Sequence, residues 1–148
     1  LDELMGEEVL IRRIRFDGRR NDSISTLETL SKWSDITLYS VGRSGYDKDE
    51  EPDLSLGRVG PQTAQNLKQR LGKQKIKSEF IQVLGENVRF TSLRITMPFK
   101  ESDGCNLKVL RYDPGMREFT EEEFRVNEIE KTVTISGFYQ GIFVVVEQ

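Results

Sequence analysis

Histidine is absent from the 148 residues, and cysteine occurs once, at Cys105. Without imidazole there is no histidine-based triad, no histidine metal ligand and no side chain whose ordinary pKa lies near neutrality. A single cysteine excludes an internal disulfide and a cysteine-rich zinc site, which leaves Cys105 as a free thiol. An excess of positive charge is missing too. The net charge is −3 and the pI is near 5.2, against the strongly basic surface that phosphate neutralisation requires. No run approaches the roughly 20 apolar residues of a membrane-spanning helix, and the N-terminal stretch lacks the charged-then-apolar order of a signal peptide. The chain is therefore expected to have no membrane span, no nucleic-acid partner and no cofactor. It starts at Leu1 rather than at a methionine, as a mature product or an excised piece of a longer protein would.

Hydrophobic residues make up 36% of the chain and are spread along it, enough to bury a core and fold. Residues 8–16 mix branched apolar residues with arginines ahead of Asp17-Gly18, which predicts a first strand and a turn. Asn21-Asp22-Ser23 offers caps, and Ile24, Leu27, Leu30 and Trp33 recur at helical spacing, which predicts a helix over 23–34. Residues 36–41 alternate with period two and predict a second strand. The polar stretch 42–60 predicts a long loop. Pro61 at a first turn, the apolar series Ala64, Leu67 and Leu71, and a closing Gly72 predict a second helix. Lys68, Arg70, Lys73, Lys75 and Lys77 crowd its end, where cations meet the helix dipole favourably.

Strands are predicted over 80–84 and 88–97. Pro98 then breaks the pattern, and the rest reads as β: a strand over 107–112, an acidic loop or short helical turn over 119–124, and a closing hairpin of 131–135 with 141–147. The resulting fold class is α+β. It comprises a β-α-β-α-β-β unit over 1–97 and a β-rich C-terminal subdomain or extension over 98–148.

Few residues carry candidate chemistry. The carboxylates from Asp47 to Asp53 are the densest acidic group, but counted from Asp47 the sixth position is Pro52 and the twelfth is Arg58. An EF-hand needs glycine and glutamate there, so no metal is expected. Gly42-Arg43-Ser44-Gly45 follows a strand as an anion-binding nest would, yet matches no phosphate fingerprint. Ser44 and Ser55 have no histidine to activate them, which favours a non-catalytic protein. Arg58 stands between the loop and the second helix. It offers either bidentate recognition of a carboxylate or a salt bridge to Asp47, Asp49, Glu51 or Asp53.

The order of these elements, with Ile14-Arg15-Phe16, Val41-Gly42, Leu54-Ser55-Leu56-Gly57-Arg58 and Gly85-Glu86-Asn87 at their joints, resembles the OmpA-like, peptidoglycan-associating domain over about residues 7–97. The resemblance implies an envelope protein, periplasmic or at the outer membrane, whose Leu-Ser-x-x-Arg arginine grips the carboxylate of the stem-peptide diamino acid. Arg58 matches that arginine. Gly45 falls where the family has its aspartate, Asp47 is the nearest substitute, and Ser55 lies in the shared phrase. Glu51 replaces the usual asparagine, and Gly57, Gly60 and Pro61 interrupt the family's helix. The expected function is thus a non-catalytic structural or interaction part of a larger envelope protein with a degenerate peptidoglycan site. Its partner would be peptidoglycan or another envelope protein, and its ligand residues Arg58, Asp47, Gly45 and Ser55. Two alternatives stand beside it: functional stem-peptide binding through Arg58, and a cytosolic α/β ligand-binding domain or enzyme.

Overall fold

A computed structural model describes residues 10–14, 17–21, 24–33, 36–44, 53–86, 89–102, 105–137 and 139–147. In chain order these form β1 (Leu10–Ile14), β2 (Asp17–Asn21), β3 (Ile24–Trp33), β4 (Ile36–Ser44), β5 (Asp53–Arg58), helix α1 (Pro61–Leu71), β6 (Lys75–Ile76) and β7 (Ile81–Glu86). They continue with β8 (Arg89–Pro98), β9 (Leu107–Asp113), β10 (Glu118–Glu122), β11 (Phe124–Asn127), β12 (Thr132–Gly137) and β13 (Gly141–Glu147). The strands pair into two antiparallel sheets. The first runs β1-β5-β7-β13-β9-β10, with β6 also on β13; the second runs β11-β12-β8-β4-β3-β2.

Alternation along the strands builds the interior. Leu56, Ile81, Val83, Val109, Phe143 and Val145 of the first sheet meet Ile36, Leu38, Leu93, Ile95, Met97, Val133 and Ile135 of the second in one buried cluster. The intervening residues of β9 and β13, among them Leu110, Tyr112, Val144 and Val146, face the other way and pack against Leu67 and Leu71 of α1. The first sheet is covered on both faces along β13, where Gly141 to Val146 are all buried. Such a strand reads as a continuous apolar run, and Ile142-Phe143-Val144-Val145-Val146 is one.

The expected α+β class is overturned, because the described chain is two antiparallel sheets with one helix. The predicted helix over 23–34 is β3, paired with β2 on one side and with β4 from Ser25↔Ser44 to Trp33↔Ile36 on the other. Its Ser- and Thr-rich sequence contains no alanine, and two ladders of hydrogen bonds outweigh a spacing of apolar residues that suits a helix. The β-α-β-α-β-β order implied by the resemblance is therefore not formed. Asp17-Gly18, predicted as a turn, begins β2. Part of the predicted long loop is β5, held between β1 and β7. The acidic stretch at 119–124 is β10 and β11, at the edges of the two sheets, where charged side chains are tolerated and discourage further pairing.

The closing hairpin is not formed either. β12 pairs with β11 and β8 in the second sheet, whereas β13 lies between β7 and β9 in the first. Strands from the last third of the chain thus interleave with earlier ones in both sheets rather than forming an appended subdomain. The predicted second helix is observed as α1. Pro61 stands at its start, and the Gly72 N–H donates to Lys68 O with Gly72 at a positive φ of 64°.

Candidate functional site

β5 carries two of the four sequence-predicted site residues. Gly45 and Asp47 lie outside the described residues. Ser55 donates through its hydroxyl to Leu84 O at 3.4 Å, a cross-strand tie to β7. Arg58 closes β5 opposite Ile81. It shares strand parity with Leu56, so it faces the gap between the sheets while Ser55 faces away. These two residues do not converge on one site.

Instead, Arg58 reaches β7's lead-in: its Nε stands 2.6 Å from Glu79 Oε2, with the two side chains 37% and 53% exposed. The pairing follows from the β5–β7 register. Val59 N donates to Phe80 O, which extends the ladder by one step and leaves residue 79, two before Ile81, diagonal to residue 58 on the same face.

Arg58 also borders a cleft of about 260 Å³ at the end of the sandwich where β4 and β7 begin and β5 and β8 finish. Its floor is apolar, formed by Ile36, Ile76, Ile81 and Met97. Its rim is charged and carries Arg58, Lys77, Glu79, Lys100 and Glu101. The cleft lies where residues 78–79 interrupt the pairing with β13 between β6 and β7, and that detour is tied at several points. Lys77 N donates to Val145 O at 2.8 Å, and Lys100 N to Lys77 O at 2.7 Å. The Ser78 hydroxyl accepts from Val145 N at 2.8 Å and donates to Glu79 O at 2.9 Å, standing in for the missing ladder partner. Lys77 Nζ donates to Glu101 O at 3.0 Å.

The charges are consequently unequal in their freedom. Glu79 is engaged by Arg58, and Lys77 is held by a backbone carbonyl, while Lys100 is exposed at the mouth. The rim carries three cations against two carboxylates, and with Glu79 engaged by Arg58 the cleft suits a ligand that has an apolar body and an anionic end placed at Lys100. Sequence reading placed Lys77 in a helix-end cluster and did not single out Glu79, Lys100 or Glu101. Their meeting depends on strand pairing that no local pattern announces.

Among the described residues, no group of three or more His, Cys, Asp or Glu side chains is placed to hold a metal ion, and no helix is long and apolar enough to cross a membrane. Compared with known families and with curated proteins, the chain matches no family model and no curated sequence.

Proposed function

We propose that this chain is a non-catalytic interaction module whose binding site is the cleft at the end of the sandwich. The ligand would be an apolar side chain or chain end that carries a carboxylate. The observation that supports this is the cleft's composition: buried Ile36, Ile81 and Met97 beneath Arg58, Lys77 and Lys100. A carboxylate in the mouth would compete with Glu79 for Arg58 or accept from Lys100, and the apolar floor would take the body of the ligand. Peptidoglycan, through its stem-peptide carboxylate, is one source of that chemistry.

N-acetylisoleucine, which carries both groups, is the probe. Titrated into the labelled protein, it is expected to move the backbone amide signals of Lys77 to Ile81 and of Lys100, and to lose that effect in Lys100→Glu. Movement spread over the whole protein, or none at saturating probe, would refute the cleft as the site. Co-sedimentation with purified cell-wall sacculi that depends on Arg58 would identify the wall as the source of the carboxylate. Sacculi that bring down Arg58→Ala as well as wild type would remove it.

A further inference from the structure

The cleft has a counterpart on the same molecule. The turn between β11 and β12 carries Glu128-Ile129-Glu130, and Ile129 is 95% exposed, the largest exposure of any large hydrophobic side chain described. This tip is a hydrogen-bonded turn. The Asn127 side-chain oxygen accepts from Ile129 N at 3.1 Å and from Glu130 N at 3.0 Å, so the isoleucine is presented on a closed turn and not on a slack loop. An isolated exposed isoleucine is common enough on protein surfaces. One flanked on both sides by carboxylates and fixed in place offers the cleft an apolar group for its floor and anions for the lysines of its mixed rim, Lys77 and Lys100.

The positions of tip and cleft decide who the partner is. β12 begins at Thr132 opposite Pro98. Lys131, the last residue of the turn, accepts from Phe99 N through its carbonyl, and its Nζ donates to Ser102 O. Residues 98–102 therefore have the tip attached to them, while Pro98, Lys100 and Glu101 line the cleft. Knob and hole stand at one end of the sandwich, about one short segment. Two copies that meet end to end across a two-fold axis can each insert a tip into the other's cleft, and such a contact closes on itself.

We propose that the chain pairs with a second copy in this way, with Ile129 of each copy seated over the other's cleft floor and Glu128 and Glu130 facing Lys77 and Lys100. The inference rests on the cleft being a binding site, as proposed above, and names its occupant. Two tips and two clefts make a small interface, so the pair is expected to be weak, with a dissociation constant on the order of 10 µM or above. The turn's own hydrogen bonds already restrict its backbone, which lowers the entropy cost of docking. The rim charges make pairing stronger at low ionic strength.

Sedimentation velocity of the whole chain over a concentration series up to ~500 µM is the test. A reversible shift from 17.1 kDa towards twice that mass is expected. Ile129→Ser should weaken pairing at least about tenfold, the scale for losing a buried isoleucine side chain. Lys100→Glu alone and Glu130→Lys alone should each weaken it, because both contacts between positions 130 and 100 in their pairs then set like charges together. An equimolar mixture of the two should recover it, since both contacts of the mixed pair are again complementary. A wild type that stays monomeric throughout, pairing indifferent to Ile129→Ser, or a mixture no stronger than either variant alone would each overturn the proposal. If N-acetylisoleucine still moves the cleft amides of a monomeric wild type, self-pairing fails while the cleft reading stands. If the probe moves nothing, the cleft reading fails as well.

Discussion

Removing Glu122 should unfold more of this protein's stability than removing any of its exposed charges. Arg111 and Glu122 lie 8% and 17% exposed, with Arg111 Nε 2.6 Å from Glu122 Oε1. Glu122→Ala strands a buried guanidinium. A buried ion pair broken from one side costs about 3–5 kcal/mol. Here Arg111 keeps a bond from Nη1 to Gln140 O at 3.2 Å and lies 5.3 Å from the centre of the Tyr139 ring. These remaining contacts place the loss at the low end, about 3 kcal/mol. Glu122→Gln keeps an acceptor but loses its charge, and should cost about half as much. The double replacement of Arg111 by Met and Glu122 by Leu removes both charges at similar volume and should fall within ~1 kcal/mol of wild type. Urea unfolding with an unchanged m-value reads all three differences. A Glu122→Ala loss below about 1 kcal/mol would refute the buried-charge reasoning, because that is the scale of an exposed pair. So would a double variant as unstable as the single one.

Three further outcomes are expected. The Ser40 hydroxyl is fully buried with no hydrogen-bond partner among the described residues, so Ser40→Ala should raise the urea midpoint, by up to about 1 kcal/mol of stability; a clear loss would show that the hydroxyl is satisfied. A Cβ at Gly141 would lie 2.7 Å from Tyr112 O and 2.8 Å from Arg111 Cγ, so Gly141→Ala should cost about 2 kcal/mol or more by thermal melting, and a variant as stable as wild type would mean the β9–β13 backbones can separate there. Arg58→Ala should cost about 1 kcal/mol in the same melt, because its pair with Glu79 is half-exposed and partly screened by water; a loss as large as that of Glu122→Ala would make Arg58 a structural clamp.

Strands were legible where a marked alternation or an unbroken apolar run survives in the sequence. Period-two alternation in β4 and β8, and the unbroken apolar run of β13, have direct physical causes in the sandwich. The helix α1 was legible from Pro61, Gly72 and three apolar residues on one side. What stayed hidden was set by pairing. The spacing of Ile24, Leu27, Leu30 and Trp33 suits a helix, and only the neighbouring β2 and β4 decide for a strand. β5 is short and interrupted by Gly57, so its alternation is faint until β1 and β7 flank it. The pairing of β13 with β7 and β9 rather than β12 joins segments far apart in sequence. In the site, Arg58 stood out as a cation between a loop and a helix. Its partner Glu79 and neighbour Lys100 come from other segments, and no one-dimensional spacing connects them.

The position of β13 between β7 and β9 has a kinetic consequence. Among the described pairings of the first sheet only β9–β10 joins strands consecutive along the chain; Arg58 pairs with Ile81, Val83 with Gly141 and Val109 with Val145. Ring closures of that length must be made before their contacts stabilise anything, so folding should be slow for the chain's size. Until β13 arrives, β7 and β9 each present an unpaired, apolar edge that another chain could fill. The strand that completes the core is therefore also the one whose delay would expose the chain to aggregation, and refolding yield should fall with protein concentration more steeply than native stability alone would suggest.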